Sequence, residues 1–204
     1  MSDRTSHWQA VYTSKAETEV SWYQDNPATS LRLIRDANAA PASRLIDIGG
    51  GASRLVDALL AAGYRALTVL DISAAALEAA RARLGAAGAK VEWITADVTT
   101  WMPQQRYDIW HDRAAFHFLT EERDRRAYVE RMREAVVPGG QIIIGTFALD
   151  GPEKCSGLLV QRYDAQSLAD TLGPSFELLD SCTEAHRTPW DSVQQFQFSR
   201  FRRS

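Results

Sequence analysis

Residues 44–56, RLIDIGGGASRLV, decide how the rest of this 204-residue chain can be interpreted. An apolar run ends at Asp47, three glycines follow, and an amphipathic segment with Leu55 and Leu59 begins behind them. This order predicts a strand, a tight turn and a helix. Glycines suit a turn that passes close to a ligand, because no Cβ atom then fills the space. The stretch therefore predicts a nucleotide-binding turn, with the N–H groups of the helix start facing the ligand.

Acidic residues recur with the apolar runs that follow. Asp71 ends the run ALTVLD, 20 residues beyond Gly51, and Asp97 closes VEWITAD. Asp108 and Asp112 bracket the fourth run, YDIWHD. We expect these acids near the strand ends that line the crevice of an open α/β sheet, where an acid at the Asp71 offset suits ribose hydroxyls. Several carboxylates repel phosphate, so the pattern favours a ligand with hydroxyls, amino groups and positive charge over a dinucleotide.

Over residues 44–147 the chain resembles the class I S-adenosylmethionine-dependent methyltransferases. The motifs occur in the family's order: DIGGG for the D/E-x-G-x-G turn, Asp71 for the ribose acid, residues 96–98 for the adenine contact, YDIWHDR, and VPGGQIIIGTF for the fifth strand. The resemblance implies an α/β fold with a Rossmann-like, doubly wound, seven-stranded sheet. Such a sheet is mostly parallel and has an antiparallel C-terminal hairpin. The resemblance also implies S-adenosyl-L-methionine as the cofactor.

The expected cofactor contacts follow from the same resemblance. They are Asp47, Gly49, Gly50, Gly51, Asp71, Ile72, Asp97, Val98, His111 and Trp22. The chain departs from the common pattern at Ala52 and Ser53, where many members keep a further glycine. Arg54 stands where a dinucleotide site has its third glycine, so an NAD-dependent oxidoreductase is a distant alternative.

The length and the 45% apolar composition predict one domain, residues 1–204, and the resemblance implies that it is a methyltransferase domain. Within it we expect an N-terminal aromatic helical lid or cover (1–40), a cofactor-binding core (41–150), and a substrate loop with a closing hairpin (151–204). The N-terminal aromatics are Trp8, Tyr12, Trp22 and Tyr23. They either pack on a sheet edge or close over cofactor and substrate, and both interpretations stay open.

The remaining elements are predicted from periodicity and turn residues. Helices are expected over residues 28–39, 53–62 and 74–84, from Thr120 to a stop at residues 138–140, and over YDAQSLADTL. Ser73 is the expected N-cap of the third helix. The run QIIIGTF is predicted as a buried strand and residues 148–159 as a loop. FELLDSCTEAHRT and VQQFQFSRF alternate apolar and polar residues around residues 189–192, which predicts the hairpin.

Candidate catalytic residues cluster after the fourth strand, where the methyl donor should end. Methyl transfer is an in-line displacement, so positioning matters most and a base matters only for a protonated nucleophile. We expect His117 as the base, with His111 and Arg113 as further catalytic residues; the alternative for His117 is a histidine satisfied by a neighbouring hydrogen bond. Arg113 is expected to hold the methionine carboxylate or an anionic substrate, or else to pair with Asp112 or Glu121.

Charge and cysteine usage narrow the class of protein. The formal net charge is −3 and the basic residues are scattered, so no nucleic-acid partner is expected. No apolar run reaches membrane-spanning length, and the N-terminus has no signal-peptide pattern, so we expect no membrane partner and a cytoplasmic location. Cys155 and Cys182 are too few and too far apart for a disulfide framework or a zinc site, and no metal is expected. Cys155 lies in the predicted substrate loop, and no feature of the sequence indicates that it is nucleophilic.

The sequence thus predicts an enzyme of class EC 2.1.1.- that methylates a small-molecule nucleophile such as a thiol or a metalloid. The short length, the aromatic opening and the terminal hairpin resemble the small tellurite-resistance and thiopurine-like methyltransferases. HDRA stands where amide N-methylating members have an Asn/Asp-Pro-Pro-Tyr/Phe motif. The alternatives are a protein-lysine methyltransferase and a non-catalytic S-adenosylmethionine-binding protein. A monomer or a homodimer is expected, and the acceptor atom stays open.

Overall fold

Strands of both orientations form the sheet at the centre of the computed structural model, which describes residues 3–204. The strands are β1 (Arg44–Ile48), β2 (Ala66–Asp71), β3 (Val91–Thr95), β4 (Tyr107–Arg113), β5 (Val136–Phe147), β6 (Lys154–Cys155), β7 (Leu158–Leu159), β8 (Phe176–Arg187) and β9 (Val193–Arg203). Seven of them form one sheet in the order β3-β2-β1-β4-β5-β9-β8. Strands β1 to β5 pair in parallel, and β9 is antiparallel to β5 and β8. The predicted Rossmann-like sheet with its antiparallel hairpin is confirmed.

Helices lie between the strands and before the first of them. In the described residues they are α1 (Asp3–Ser14), α2 (Ala28–Asp36), α3 (Leu55–Ala61), α4 (Ala74–Leu84), α5 (Glu122–Ala135) and α6 (Ala165–Leu172). The predicted cap of α4 is confirmed, because Ser73 Oγ accepts a hydrogen bond from Ala76 N. Residues 1 and 2 of the predicted N-terminal segment lie outside the described residues.

The continuous apolar run of β5 is buried because the parallel sheet is covered on both faces. Ile142 and Ile144 pack into one core layer with Trp110 and Phe116. Ile143 packs into the layer on the other face. Successive side chains of β5 point to opposite faces of the sheet, so this one strand contributes to both core layers.

Two elements differ from their prediction. Helix α5 ends at Ala135, and β5 already begins at Val136, which pairs with Tyr107 of β4. The expected stop at residues 138–140 instead lies inside β5, where β4 and β5 pair irregularly between Tyr107 and Ile109. The predicted loop at residues 148–159 contains a short antiparallel ribbon of β6 and β7. Both differences have the same cause. Strand pairing satisfies backbone N–H and C=O groups in these segments, and the local sequence gave no indication of that pairing.

Two of the acids expected at the crevice lie elsewhere. Asp108, near the start of β4, accepts a hydrogen bond from Arg44 N at 2.8 Å, at the opposite edge of the sheet. Asp112 is fully buried on the Trp110 face, where Tyr128 Oη donates to its Oδ2 at 2.7 Å. The N–H group of Phe116 also donates to Asp112. Burial raises the pKa of Asp112 to about 6, and these donors oppose the rise. Asp112 is thus part of a buried polar network and not of the crevice.

Tyr128 joins this network to the core, since Trp110 Nε1 donates to its hydroxyl at 2.8 Å. Tyr128→Phe removes one donor from a buried carboxyl group and one acceptor from a buried indole. We expect the free energy of unfolding to fall by about 1 to 3 kcal/mol, measured by urea denaturation. Tyr23→Phe is the matched control: its hydroxyl bonds to Asp25 in an exposed position, so the loss should stay below about 0.5 kcal/mol. Equal losses in the two variants would contradict this role of Tyr128.

Candidate functional site

The turn after β1 packs closely against its neighbours because its glycines lack side chains. Gly49 has φ +65° and Gly51 has φ +37°, both in the left-handed region. A Cβ atom on Gly49 would lie 2.6 Å from Ala115 Cβ, and one on Gly51 would lie 2.7 Å from Asp71 Oδ2. The turn therefore packs closely on its protein neighbours, at Gly51 on the acid that ends β2, and its close approach to a ligand stays a prediction.

Asp71 is buried at the carboxyl end of β2. Its Oδ1 accepts a hydrogen bond from Ser73 N at 2.8 Å. Burial raises the pKa of Asp71 to about 7, and the nearby charge of Asp47 adds to the rise. Backbone donors at Ser73, Gly51 and Ile72 act in the opposite direction. Near neutral pH this carboxyl group is therefore divided between its neutral and ionised forms.

Two cavities lie over the carboxyl ends of the parallel strands and share four lining residues, Tyr12, Trp22, Gly49 and Arg113. The first has about 760 Å³ of empty space, its open mouth included, and is lined by the predicted Asp71, Ile72, Asp97 and Val98. The second has about 560 Å³ and is lined by the predicted Asp47, Gly50 and His111. Gly51 lines neither, since it lies beneath Asp71 and Tyr12. Nine of the ten residues expected from the motifs thus border one or both of these adjoining cavities.

Asp97 lies beyond the end of β3. Its Oδ1 accepts hydrogen bonds from Thr99 N at 2.9 Å and Thr99 Oγ1 at 2.7 Å. Its Oδ2 lies 3.2 Å from Arg4 Nη2, and Arg4 Nη1 lies 3.2 Å from Asp124. Helix α1 is therefore joined by an ion pair to the carboxylate at which the adenine is expected.

His111 is held on both ring nitrogens. Parallel pairing of β1 with β4 places it beside Asp47. Its Nδ1 lies 2.6 Å from Asp47 Oδ1, and its Nε2 lies 2.8 Å from Ser30 Oγ on α2. All three side chains are buried. Because both nitrogens are engaged, this histidine is oriented by its neighbours and is not a free base in this conformation.

Arg113 ends β4 and borders both cavities. Its Nη1 donates to Trp22 O at 2.9 Å, and its guanidinium lies 4.4 Å from the ring centroid of Phe196. Glu184, at 3.8 Å, is its ionic neighbour, in place of the Asp112 or Glu121 that the sequence suggested. Among the described residues, Nε and Nη2 of Arg113 are buried without a hydrogen-bond partner. Burial lowers the pKa of Arg113 to about 10, so the side chain stays cationic at neutral pH.

His117 does not border either cavity. It is fully buried, with its ring 4.5 Å from that of Phe118 and 4.7 Å from that of Phe147. Its Nδ1 accepts a hydrogen bond from Phe147 N at 3.3 Å, whereas Nε2 has no partner in the described part of the chain. Burial and the charge of Arg113 lower the pKa of His117 to about 3. This placement gives no support to the predicted role of His117 as a base, and it fits the alternative of a histidine satisfied by a neighbouring hydrogen bond.

Aromatic side chains of the N-terminal segment face the first cavity. Trp8, Tyr12 and Trp22 line it together with Phe118. The ring of Trp8 lies 4.8 Å from that of Phe118 and 5.6 Å from that of Trp22. Trp22 Nε1 donates to Tyr12 Oη at 3.2 Å. Three of the four aromatic residues that could either pack on a sheet edge or form a cover thus line the first cavity, and the fourth, Tyr23, lines the second.

Polar contacts fix this segment to the core. Gln9 Oε1 accepts hydrogen bonds from Ser73 Oγ at 3.1 Å and from Ala75 N at 3.2 Å, at the start of α4. Glu17 pairs with both Arg54 and Arg83. Sequence spacing carried no signal for these contacts or for Arg4, because they form only when α1 folds back over the sheet.

Cys155 borders the first cavity from the β6–β7 ribbon. It is buried, and its Sγ lies 3.8 Å from Ser21 Oγ. Burial raises the pKa of the Cys155 thiol to about 11, so it is protonated at neutral pH. No group of three or more His, Cys, Asp or Glu residues within residues 3–204 could hold a metal ion. No helix in that range is long and apolar enough to cross a membrane.

Residues 45–140 match a family model described as a methyltransferase domain. No curated protein sequence matches the chain significantly. The matched segment includes the glycine turn, Asp71 and Asp97, and it ends at the start of the apolar run of β5. The match covers just under half of the chain and agrees with the methyltransferase class that the sequence resembled, whose cofactor is S-adenosyl-L-methionine.

Solved structures share the fold across nearly the whole chain. One comes from work on the conversion of a disulfide bond into a thioacetal group during echinomycin biosynthesis (TM-score 0.80, 19% identity, 98% of this chain and 93% of that one). Another is N-methyltransferase NodS from Bradyrhizobium japonicum with S-adenosyl-L-homocysteine (0.75, 18%, 98% and 99%). A third is the Burkholderia thailandensis 1,6-didemethyltoxoflavin-N1-methyltransferase with its substrate and S-adenosylhomocysteine (0.68, 19%, 98% and 84%). At these identities the likeness shows the fold.

Gly51→Ala tests the close approach of the turn. The variant places a Cβ atom 2.7 Å from Asp71 Oδ2 and 3.2 Å from Tyr12 Oη, in a left-handed backbone conformation. Gly63→Ala is the matched control, because Gly63 has φ +88° and no atom within 4 Å of its Cβ position. The control should lose about 1 to 2 kcal/mol of unfolding free energy from backbone strain alone. Gly51→Ala should lose roughly 2 kcal/mol more from overpacking. Equal losses in urea denaturation would mean that Asp71 and Tyr12 are not tightly packed on Gly51.

Proposed function

We propose that this chain is an S-adenosyl-L-methionine-dependent methyltransferase that acts on a small, soft nucleophile such as a thiol or a metalloid species. The observation that carries the proposal is the pair of adjoining cavities over the strand ends, bordered by nine of the ten residues that the motifs selected. In this proposal residues 1–40 are the aromatic cover, residues 41–150 bind the cofactor, and residues 151–204 supply the substrate loop and closing hairpin.

The residues present fit the cofactor. Gly49 and Gly50 border the cavities, and a Cβ atom on Gly49 would collide with Ala115, so the turn brings bare backbone to the edge of the cavities. The Asp71 carboxylate suits ribose hydroxyls, and Asp97 and Val98 lie where the adenine is expected. When bound, S-adenosyl-L-methionine supplies an electrophilic methyl group on a sulfonium. The protein's part is to orient the donor and acceptor and to exclude water, which the aromatic cover of Trp8 and Trp22 favours.

The side chains on the acceptor side favour a nucleophile that needs no base. His111 is engaged on both nitrogens and His117 is away from the cavity, so neither presents a free basic nitrogen to it. Arg113 brings an incompletely paired cation to the same place. An anionic acceptor would complete its hydrogen bonds and balance its charge. A thiolate or a metalloid oxyanion combines both properties, and the narrower resemblance to tellurite-resistance and thiopurine-like enzymes supports this choice.

The aromatic side chains at the first cavity weigh against a protein-lysine acceptor. A folded protein would need an open rim to bring a lysine side chain to the methyl group, whereas Trp8, Trp22 and Phe118 converge over the cavity. We further propose a cytoplasmic enzyme, monomeric or homodimeric, with no nucleic-acid or membrane partner. A non-catalytic cofactor-binding protein is the outcome to be distinguished by turnover.

Calorimetry with S-adenosyl-L-homocysteine is the first test, and we expect an affinity near the micromolar range. Turnover of S-adenosyl-L-methionine is then measured with a panel of sodium hydrosulfide, 2-mercaptoethanol, selenite and tellurite, with a lysine-rich peptide as the contrasting acceptor. Methylation of a thiol or a metalloid supports the proposal. Absence of binding overturns it, and binding without turnover on any acceptor favours the non-catalytic alternative.

The raised pKa of Asp71 gives cofactor binding a pH dependence. A carboxyl group with a pKa of about 7 holds its proton below pH 7, and a protonated carboxyl group is a poorer acceptor for ribose hydroxyls. Affinity for S-adenosyl-L-homocysteine should therefore rise about tenfold from pH 6 to pH 8 and change little above pH 8. Asp71→Asn should bind more weakly with a flat profile over that range. A wild-type profile as flat as that of the variant would contradict the assignment of Asp71.

Arg113 is expected to act on the acceptor through its charge. Arg113→Met removes the cation, whereas Arg113→Lys keeps it and loses the planar fork. For the acceptor that the wild-type protein methylates fastest, kcat/KM should fall about 100-fold in Arg113→Met and about tenfold in Arg113→Lys. For a neutral acceptor such as an uncharged amine the two variants should differ by less than about threefold. If kcat/KM fell further in Arg113→Lys than in Arg113→Met, the charge of Arg113 would not be what acts on the acceptor.

A further inference from the structure

Residues 20–24, here called the roof segment, cross the cavities between α1 and α2. Its central residue, Trp22, lines both cavities. The segment contains neither an α-helix nor a strand of its own. Its position therefore depends on contacts that other elements make with it.

Strands β4 and β8 each supply a donor to the backbone of the roof segment. His186 Nε2 lies 2.7 Å from Ser21 O, and Arg113 Nη1 donates to Trp22 O at 2.9 Å. Because a carbonyl oxygen only accepts, Nε2 of His186 carries the proton. His186 is 5% exposed, so its hydrogen bond is shielded from water. Two successive carbonyl groups of the segment are thus fixed by side chains of the main sheet.

Glu184 supplies a third contact from the same strand as His186. Its Oε1 accepts a hydrogen bond from Gln24 Nε2 at 2.8 Å and lies 3.8 Å from Arg113 Nη2. Residues two apart in a strand face the same side of a sheet, so Glu184 and His186 point together towards the roof segment. One carboxylate therefore links the segment to the guanidinium that fixes Trp22.

Phe196 of β9 supports all of these groups from below. It pairs with Glu184 in the β8–β9 register, its ring lies 4.4 Å from the Arg113 guanidinium, and its centroid is 5.9 Å from that of His186. The antiparallel hairpin thus places Phe196 against both Arg113 and His186, the two side chains that donate to the roof segment.

We propose that His186 and Glu184 are positioning residues that hold the roof segment closed, so that Trp22 and Arg113 form the acceptor side of the cavity. The acceptor part of this statement rests on the proposed function, whereas the closure itself depends on the contacts alone. Neither residue borders the first cavity, so both act through Arg113 and the backbone of the segment. The C-terminal hairpin, in addition to closing the sheet, would then set the shape of the site.

Cys155 offers a direct readout of closure that needs no acceptor. Its Sγ lies beneath the roof segment, 3.8 Å from Ser21 Oγ, and the residue is only 4% exposed. Opening the segment should expose the thiol and let its pKa fall towards the usual value, and both changes speed its reaction. The probe is methyl methanethiosulfonate, with modification followed by intact mass. All proteins carry Cys182→Ser so that a single thiol is measured.

In this background His186→Phe keeps an aromatic ring on Phe196 and loses the donor to Ser21 O. The rate of Cys155 modification should rise about tenfold, the factor expected when one buried hydrogen bond is lost. His186→Gln restores an N–H donor at similar reach and should stay within about threefold of the parent rate. Glu184→Ala, a less buried site, should rise by about threefold and gives a second test if His186→Phe does not fold, as judged by its melting curve.

Parent-like rates in folded His186→Phe and Glu184→Ala would overturn the proposal, and so would equal acceleration in His186→Phe and His186→Gln. Failure of the proposed function is recognised separately. In that case S-adenosyl-L-homocysteine neither binds the parent protein nor slows its Cys155 modification, while the ratio of rates between the two His186 variants is unchanged.

Discussion

Parallel pairing of β1 with β2 and β4 is the constraint on which the site depends. The register sets Asp47 beside Val69 on one side and His111 on the other. Carboxyl ends of three strands consequently meet at one edge, and the turn after β1 must pass between them. Only a turn without side chains fits there, because a Cβ atom on Gly51 would collide with Asp71. The glycines and the acids are thus two parts of one packing arrangement.

The cover over this edge is assembled differently from the core beneath it. The core consists of two apolar layers on opposite faces of the sheet. Leu33 and Ile34 of α2 belong to one of these layers, whereas α1 is joined to the sheet in part by polar contacts, such as those of Arg4 with Asp97 and of Gln9 with α4. Such contacts are individually weak in partly exposed positions, so a segment held by them can open without unfolding the sheet. A stable core with a cover that can open suits a site that excludes water during the reaction and still admits its ligands.

Residues at fixed offsets from strand ends were predictable, because strand geometry carries them to the same edge. Asp71 and Asp97 are examples, and both border the cavity. Asp112 was wrongly expected there, although strand alternation explains its true place: it shares a face with Trp110, whereas His111 points the other way. No local pattern could mark Phe118 or Arg4 as cavity residues, since their partners are far away in the sequence.

The sequence by itself determined the order of strands and helices, the glycine turn, the acid that ends β2, and the class of fold, because each follows from local periodicity and short spacings. Tertiary structure alone decided which groups are charged, free or covered. Burial depends on distant segments meeting, and it raises the pKa of Asp71, lowers that of His117, and leaves part of the Arg113 guanidinium without a partner among the described residues. His186 likewise lies against Ser21 only in the folded protein, because the two residues are 165 positions apart in the chain.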